Sequence, residues 1–548
     1  YNIERIVDAG IWPVTVATTL LKPGGYQRLT QMAKLLDKEN APFEKVDAES
    51  AGKLAEEAVK DPHHVKAMKP LPSRKMKKEV PLMDCFVAPC KEGCPIHQDI
   101  TTYLQLVGEE KYEEAMEVIT EKNPLPFITG TICAHNCMSK CTRNFYETPV
   151  HIREMKLKAA ENGYEALLEK LPVPAVTKAG KAAVIGGGPA GMAAAYFLRK
   201  GGMEVTLFEA KESLGGVVRH VIPPFRISED AIEKDAEIVR KMQGDIRCNT
   251  KVESLEELKK QGYTKIVLAV GAPVQGSLKL ESGMPKNALE FLAEFKQTDG
   301  KVSLGKHVVV IGGGNTAMDT ARAAKRNAGV EHVYLVYRRT RRYMPADEEE
   351  LVMALEDGVE FKELLSPVKL ENGQLLCKVM QLSDYDVSGR RGVTETGETV
   401  WVPADTVIAA VGEKVPTDWY QANGLAVSEK GRLYVDEKTL KTSDDNVYAA
   451  GDGLYGPATV VEAIRDGRKV AEAIAGEVLA RDFDKLAEEE KVYAKRGVLK
   501  EEQKETKEAG RCLGCSTICE NCVEVCPNRA NIAIQVPGME KHQIIHVD

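Results

Sequence analysis

Two stretches of this chain, Ala182–Ala210 and His307–Arg339, repeat one pattern: an apolar strand, a glycine-rich turn, a helix and a second strand. No other feature narrows the fold as far, because a glycine turn between strand and helix is the α/β solution for holding a diphosphate at a helix N-terminus. In the first copy, Ala182–Ile185 leads into Gly186-Gly187-Gly188-Pro189-Ala190-Gly191, and the helix is expected over Met192–Lys200. Gly186 permits the tight turn, Gly188 lets a pyrophosphate reach the backbone, and Gly191 allows close helix–strand packing. The second strand, Glu204–Phe208, ends in Glu209, eighteen residues after Gly191, where an acid accepts from a ribose hydroxyl pair. A bare glycine pattern is weak evidence. With the strand, the helix and the acid all in place, an incidental glycine turn no longer explains it.

The second copy runs Val308–Ile311, then Gly312-Gly313-Gly314-Asn315-Thr316-Ala317, then a helix to about Asn327. Its second strand, His332–Tyr337, ends in Arg338-Arg339, with Arg341 and Arg342 close behind. An acid there would repel a 2′-phosphate, whereas arginines pair with it, so Gly312, Gly314, Asn315, Arg338, Arg339 and Arg342 are the candidate site for NADPH rather than NADH. A solvated basic loop is the competing reading.

Cysteine is the second constraint. The chain has 13 cysteines in 548 residues, and eleven fall in two tight sets. Disulfide scaffolds are short and secreted, so thiol clusters in a long chain without a signal segment read as metal sites. The C-terminal set is Cys512, Cys515, Cys519, Cys522 and Cys526, and its last three match the end of a bacterial ferredoxin run, C-x2-C-x3-C-P. Five thiols for four places leave Cys512 or Cys515 redundant, or Cys526 serving a second cluster; structural zinc is the alternative. The N-terminal set is Cys85, Cys90, Cys94, Cys133, Cys137 and Cys141. Spacing of four over the last three could also be one helix face, and so a plain core stripe. Cys248 and Cys377 are isolated and read as buried thiols. There is no C-x2-C or C-x4-C pair within residues 182–480, which argues against a disulfide reductase, since one of this fold needs such a pair beside its flavin.

The formal net charge of −8 argues against a nucleic-acid partner. No apolar run reaches the ~18 residues that span a bilayer, so a cytoplasmic, soluble protein is expected. A first residue Tyr1 suggests a piece of a longer chain. Val14–Thr18 reads as a strand, and Lys22-Pro23-Gly24-Gly25 as a Pro-Gly turn that could hold a phosphate. Ile100–Val107 and Tyr112–Ile119 read as amphipathic helices. Residues 365–411 read as antiparallel strands with turns at Ser388-Gly389 and Thr396-Gly397. Downstream, Leu214-Gly215-Gly216 and Val447-Tyr448-Ala449-Ala450-Gly451-Asp452 resemble the remaining FAD signatures of flavoproteins with two dinucleotide domains. That resemblance implies Gly216, Gly451 and Asp452 at FAD, and a helix opening near Thr459 aimed at the flavin ring.

Residues 83–478 resemble the small subunit of glutamate synthase and the N-terminal half of dihydropyrimidine dehydrogenase, on Asn123-Pro124-Leu125-Pro126-Phe127, Gly130, Cys133, Arg338-Arg339 and Met344-Pro345-Ala346. Trp12-Pro13, Thr18-Thr19-Leu20-Leu21-Lys22-Pro23-Gly24-Gly25-Tyr26 and Cys512–Asn531 are similar to the selenate reductase subunit (YgfK-like) family, found beside purine-degrading molybdenum hydroxylases. The resemblance implies a truncated TIM barrel at the N-terminus and a further ferredoxin-type run after the C-terminus. It also groups Cys85, Cys90 and Cys141 at one [4Fe–4S] cluster and Cys94, Cys133 and Cys137 at another. Each set is then one ligand short, since Leu82 and Lys156 stand where relatives carry ligands. Water, Glu154, His135 or a partner could fill the gap.

The expected architecture is α/β with two Rossmann-like dinucleotide-binding domains, preceded by an α-helical iron–sulfur domain and followed by a ferredoxin-like segment. Its divisions are a TIM-barrel remnant (1–60), a linker (61–82), the helical iron–sulfur domain (83–175), an FAD domain (181–295 with 412–478), an NADPH domain (300–411), a charged connector (480–510) and the ferredoxin-like segment (511–548). The expected function is an electron-transfer subunit passing electrons between NAD(P)H, FAD and two or three [4Fe–4S] clusters, to or from a partner such as a molybdenum hydroxylase. No acid–base catalytic residue is required. The rivals are a glutamate synthase small subunit and a scaffold with structural metal.

Overall fold

The computed structural model describes residues 3–11, 13–16, 25–36, 45–61, 87–145, 147–385, 391–481, 483, 508–512, 531–535 and 542–546. The chain divides into two units, Cys85–Cys522 and Tyr1–Asp84 with Val523–Asp548.

The large unit holds two parallel sheets. In the first, the spatial order is Val447–Ala449, Tyr263–Leu268, Lys181–Ile185, Glu204–Phe208, Asp245–Arg247. In the second it is Lys286–Asn287, Thr406–Ala409, His307–Ile311, His332–Tyr337, Glu360–Glu363. Both sheets put the strand that enters a glycine turn at the centre, and the strand order reverses there, which opens a crevice at the carboxyl edge. Central strands are buried on both faces, so Ala182–Ile185 and Val308–Ile311 are continuous apolar runs. The short antiparallel pair Val274–Gln275 and Glu413–Lys414 carries the two crossings between the sheets.

Against the first sheet lies a helical layer: Ile100–Gly108, Tyr112–Lys122, Pro126–Ile132 and Ile152–Lys170. Ile100, Tyr103, Leu104 and Val107 recur at helical spacing and are all buried. The carboxyl of Asp235, from the helix Glu229–Lys241 beside the first sheet, accepts from the N–H of Phe127 (3.0 Å) and of Ile128 (2.7 Å). It thereby caps Pro126–Ile132 and ties the helical layer to the sheet. Asn123 is fully buried, donating to Thr129 (2.7 Å) and accepting from Leu125 N (3.1 Å), so the Asn-Pro-Leu-Pro motif is a helix-entry device.

Several expectations are corrected. The first glycine-loop helix begins at Pro189 rather than Met192, because Pro fits the first helical position. Thr396-Gly397 is not a turn; it lies inside Arg391–Pro403, where the register with Gln374–Tyr385 shifts between Lys378 and Met380. The turn is Asn372-Gly373, both at positive φ, joining Leu365–Glu371 to Gln374–Tyr385 as a two-residue hairpin. Thr406–Ala409 is parallel, not antiparallel. Val14–Val16 form no strand, while Ala17, Thr18, Lys22–Gly24 and Ser388-Gly389 lie outside the described residues.

In the smaller unit, helices span Ile3–Asp8, Gly25–Leu35 and Ala48–Ala58, the last capped by Asp47. Asn531–Gln535 and His542–His546 pair antiparallel. No helix among the described residues is long and apolar enough to cross a membrane.

Candidate functional site

At the first glycine loop the backbone allows no side chain. Gly186 sits at φ +107°, and a Cβ on Gly191 would lie 1.8 Å from its carbonyl oxygen. Gly188 caps the helix Pro189–Lys200, and a Cβ there would meet only Gly216 Cα, at 3.8 Å. This is the open approach a diphosphate requires. Glu209 is buried; its carboxylate accepts from Gly187 N (2.6 Å) and Lys211 N (2.7 Å). Gly215 N donates to Gly187 O (2.8 Å), which lays the Gly215-Gly216 turn against the loop.

Gly451 follows the edge strand Val447–Ala449, and a Cβ on it would meet Ala190 of the loop helix at 2.7 Å. Asp452 accepts from Ala458 N (3.0 Å), and burial pushes its carboxyl up to about 6. Thr459 caps the helix Val460–Ala475 in a capping box with Glu462. All eight residues expected at FAD therefore gather at the carboxyl edge of the first sheet.

The second loop is more open. Gly312 packs under Ala410, but a Cβ on Gly314 would find nothing within 4 Å. Ala346 N donates to Gly313 O (3.0 Å), so the Met344-Pro345-Ala346 segment folds over the glycine turn. The Asn315 amide is engaged with Asp347, accepting from its N–H at 3.0 Å. Arg338 and Arg342 are exposed, and among the described residues neither forms an ion pair. Arg339 differs: its Nε donates to Arg391 O (3.0 Å), tying it to the antiparallel sheet.

Among the helices, the cysteines do not form a stripe. Cys133 closes Pro126–Ile132, Cys137 lies in the single turn Asn136–Ser139, and Cys141 follows it. They sort into two cavities. One is lined by Cys94, Cys133 and Cys137 with His135, Lys156, Tyr103 and Val461. The other is lined by Cys90, Cys141 and Cys512 with Arg143. Ile152 lines both. Of the residues offered as substitutes for a missing ligand, His135 lines the first cavity; Glu154 is exposed beside Arg153.

Burial pushes the Cys94 thiol up and that of Cys137 up to about 12, so without metal both stay protonated; iron would displace those protons. Tyr103 is fully buried, and its hydroxyl has no hydrogen-bond partner among the described residues. A buried donor in a cavity of soft ligands fits a cluster, whose sulfides accept hydrogen bonds. Sequence reading missed Tyr103 and Val461, since each looks like an ordinary core residue. Cys85, Cys515, Cys519, Cys522 and Cys526 lie outside the described residues. Cys377 is buried in the antiparallel sheet, but Cys248 is only half-buried.

The family model for pyridine nucleotide-disulphide oxidoreductases matches residues 180–467, more than half of the chain. The chain belongs to this family. Two further models match: dihydropyrimidine dehydrogenase domain II, 4Fe-4S cluster, over 71–166, and the N-terminal TIM-barrel domain of oxidoreductase YgfK over 1–66. "Putative oxidoreductase YgfK" of Escherichia coli K12 is 39% identical over 100% of this chain and 55% of its own length. The glutamate synthase [NADPH] small chain of the same organism is 33% identical over 72% of this chain and 89% of its own. NADPH-Fe(3+) oxidoreductase subunit beta of Geobacter sulfurreducens is 34% identical over 72% and 64%. The chain thus spans about half the length of the YgfK relative. This family member is an oxidoreductase with an FAD- and NAD(P)H-binding region and a 4Fe–4S domain. Despite the family's name, residues 182–480 hold no paired thiols.

Proposed function

We propose that this chain carries electrons between NADPH and a partner enzyme by way of FAD and [4Fe–4S] clusters. Residues 181–295 with 412–478 hold FAD, and residues 300–411 hold NADPH. Glu209 serves the adenosine ribose, while Gly186, Gly188, Gly191 and Gly216 leave room for the diphosphate. Asp452 serves the ribityl chain, and Gly451 and Thr459 shape the entry to the helix beside the ring. Gly312, Gly314 and Asn315 form the NADPH turn, with Arg338 and Arg342 on the 2′-phosphate and Arg339 in support. Bound flavin would supply the conversion between a two-electron hydride and single electrons.

One observation carries the reading. Val461, in the first turn of the helix capped by Thr459, lines the cavity of Cys94, Cys133 and Cys137. The same short segment therefore borders both the candidate flavin edge and a thiol cavity. The side chains orient, exclude water and set potential; none has to move a proton at a substrate. Among partners, a molybdenum hydroxylase is the one the family resemblance suggests, with flow in either direction, in the cytoplasm.

An anaerobic NADPH titration followed by absorbance and low-temperature EPR tests this. Flavin bleaching should be accompanied by cluster signals. Bleaching with no cluster signal, even after dithionite, would leave only a flavin-dependent NADPH dehydrogenase with structural metal.

A further inference from the structure

We propose that Cys512 is a ligand of the iron–sulfur cluster held by Cys90 and Cys141. The C-terminal cysteine run would then donate its first thiol back to the helical layer; the inference rests on the iron–sulfur reading above. These three thiols come from chain segments far apart in sequence, yet they line one cavity. Soft sulfur donors that line one cavity from separate segments suit a shared iron–sulfur centre, each thiol giving up its proton as it binds iron.

What holds Cys512 there is specific. Its neighbour Arg511 is fully buried. The guanidinium grips Glu508 (2.7 Å), Thr148 O (2.7 Å) and Glu147 (3.2 Å). The Arg511 carbonyl accepts from Arg143 Nε (2.7 Å), and Arg143 stands two residues after Cys141. Glu508 in turn accepts from His151 N (2.9 Å). A buried ionic network costs desolvation that apolar packing would avoid, so its return lies in placement rather than stability. Here the residue placed is Cys512, held on the same frame as Cys141.

The assignment also resolves the surplus in the C-terminal run. With Cys512 committed to the helical layer, Cys515, Cys519, Cys522 and Cys526 remain, the four thiols one cuboidal cluster takes.

The test uses the full chain purified anaerobically, with iron, acid-labile sulfide, flavin content and the EPR spectrum of the dithionite-reduced protein as readouts. Cys512→Ala and Cys141→Ala should each lose about four irons and the same EPR component, with flavin content unchanged. The double variant should lose no more than either single one. Cys512→Ser, the milder change, should keep a cluster with a shifted EPR signal. The assignment is overturned if Cys512→Ala keeps the wild-type iron and spectrum, or if it loses the component that Cys519→Ala loses. Should the alanine variant fail to fold, an unshifted spectrum in Cys512→Ser overturns it equally. A wild-type chain without iron or sulfide would instead overturn the iron–sulfur reading itself.

Discussion

At the first glycine loop, the acid that ends the neighbouring strand is buried and folded back onto the loop, with Glu209 accepting from Gly187 N at 2.6 Å. At the second, Arg338 occupies the corresponding strand end and is exposed, and Gly314 faces open space. The parts are the same: strand, glycine turn, helix, second strand. The first is closed by Gly215-Gly216 and by Gly451 against Ala190, whereas the second is flanked by Tyr337 and Ala410 and covered by the Met344–Ala346 segment, with Gly314 left open. A closed loop suits a cofactor that stays. An open loop with exposed cations suits one that comes and goes, because charge steers arrival and solvent access permits release.

The two helices behind the loops differ as well. Pro189–Lys200 buries a nearly continuous apolar surface. Asn315–Arg326 instead carries a buried ionic group: Asp319 pairs with Arg226 (2.8 Å), which also contacts Glu350. Arg226 lies in the segment leading to the helix Glu229–Lys241 of the first region, so this network joins the two.

The comparison can be broken at four points. The largest effect belongs to Gly191→Ala: with backbone oxygen 1.8 Å from the new Cβ, strand or helix must shift. A loss on the order of 3 kcal/mol is expected, seen as a fall in denaturation midpoint, whereas Gly314→Ala should leave that midpoint alone and raise KM for NADPH. If both variants melt alike, the contrast between the loops is wrong.

Next is Glu209→Ala, which strands two backbone donors and removes the proposed ribose acceptor. Losing a charge-assisted bond of about 1.5–3 kcal/mol predicts flavin retention weakened roughly 10- to 100-fold. A flavin-to-protein ratio unchanged after gel filtration would remove Glu209 from the site.

Third, Arg338→Ala with Arg342→Ala should narrow the kcat/KM preference for NADPH over NADH by about tenfold or more, leaving NADH kinetics unchanged. Arg339→Ala should do less, because its Nε is engaged with Arg391 O. Equal effects from all three would show that exposure does not separate them.

The smallest effect is a pH slope. Burial, with help from Glu350, raises the Asp319 carboxyl from 3.8 to about 6. The protonated form is therefore favoured in the folded state. Its stabilising contribution is full below about pH 3.8 and is lost as pH rises through about 6. Thermal midpoints measured from pH 5 to 7 should fall with this component, and Asp319→Asn should flatten it. An unchanged slope would mean that Asp319 is ionised throughout.

Both glycine loops were legible in the sequence because the turn itself is local to one strand–turn–helix unit, down to Gly191 packing on Gly186; what closes each loop comes from elsewhere in the chain. The hairpin was misread for a related reason. Thr396-Gly397 carries a turn signature, but pairing with Gln374–Tyr385 absorbs it as a register shift, and Asn372-Gly373 makes the turn. Thr406–Ala409 looked like its antiparallel neighbours because periodicity does not report strand direction; the partner strand His307–Ile311 decides it.

By itself, the sequence determined that the chain has two dinucleotide folds and cysteines suited to clusters, since glycine conformation and thiol chemistry are properties of the residues and their near neighbours. Only the tertiary structure decided that Cys512 joins the cavity of Cys90 and Cys141, which arginine is tied down, and that Val461 borders a thiol cavity. Arg143 and Arg511 stand 368 residues apart and still meet through a hydrogen bond. Contacts of that range are selected by packing and burial of the whole chain, which local spacing does not encode.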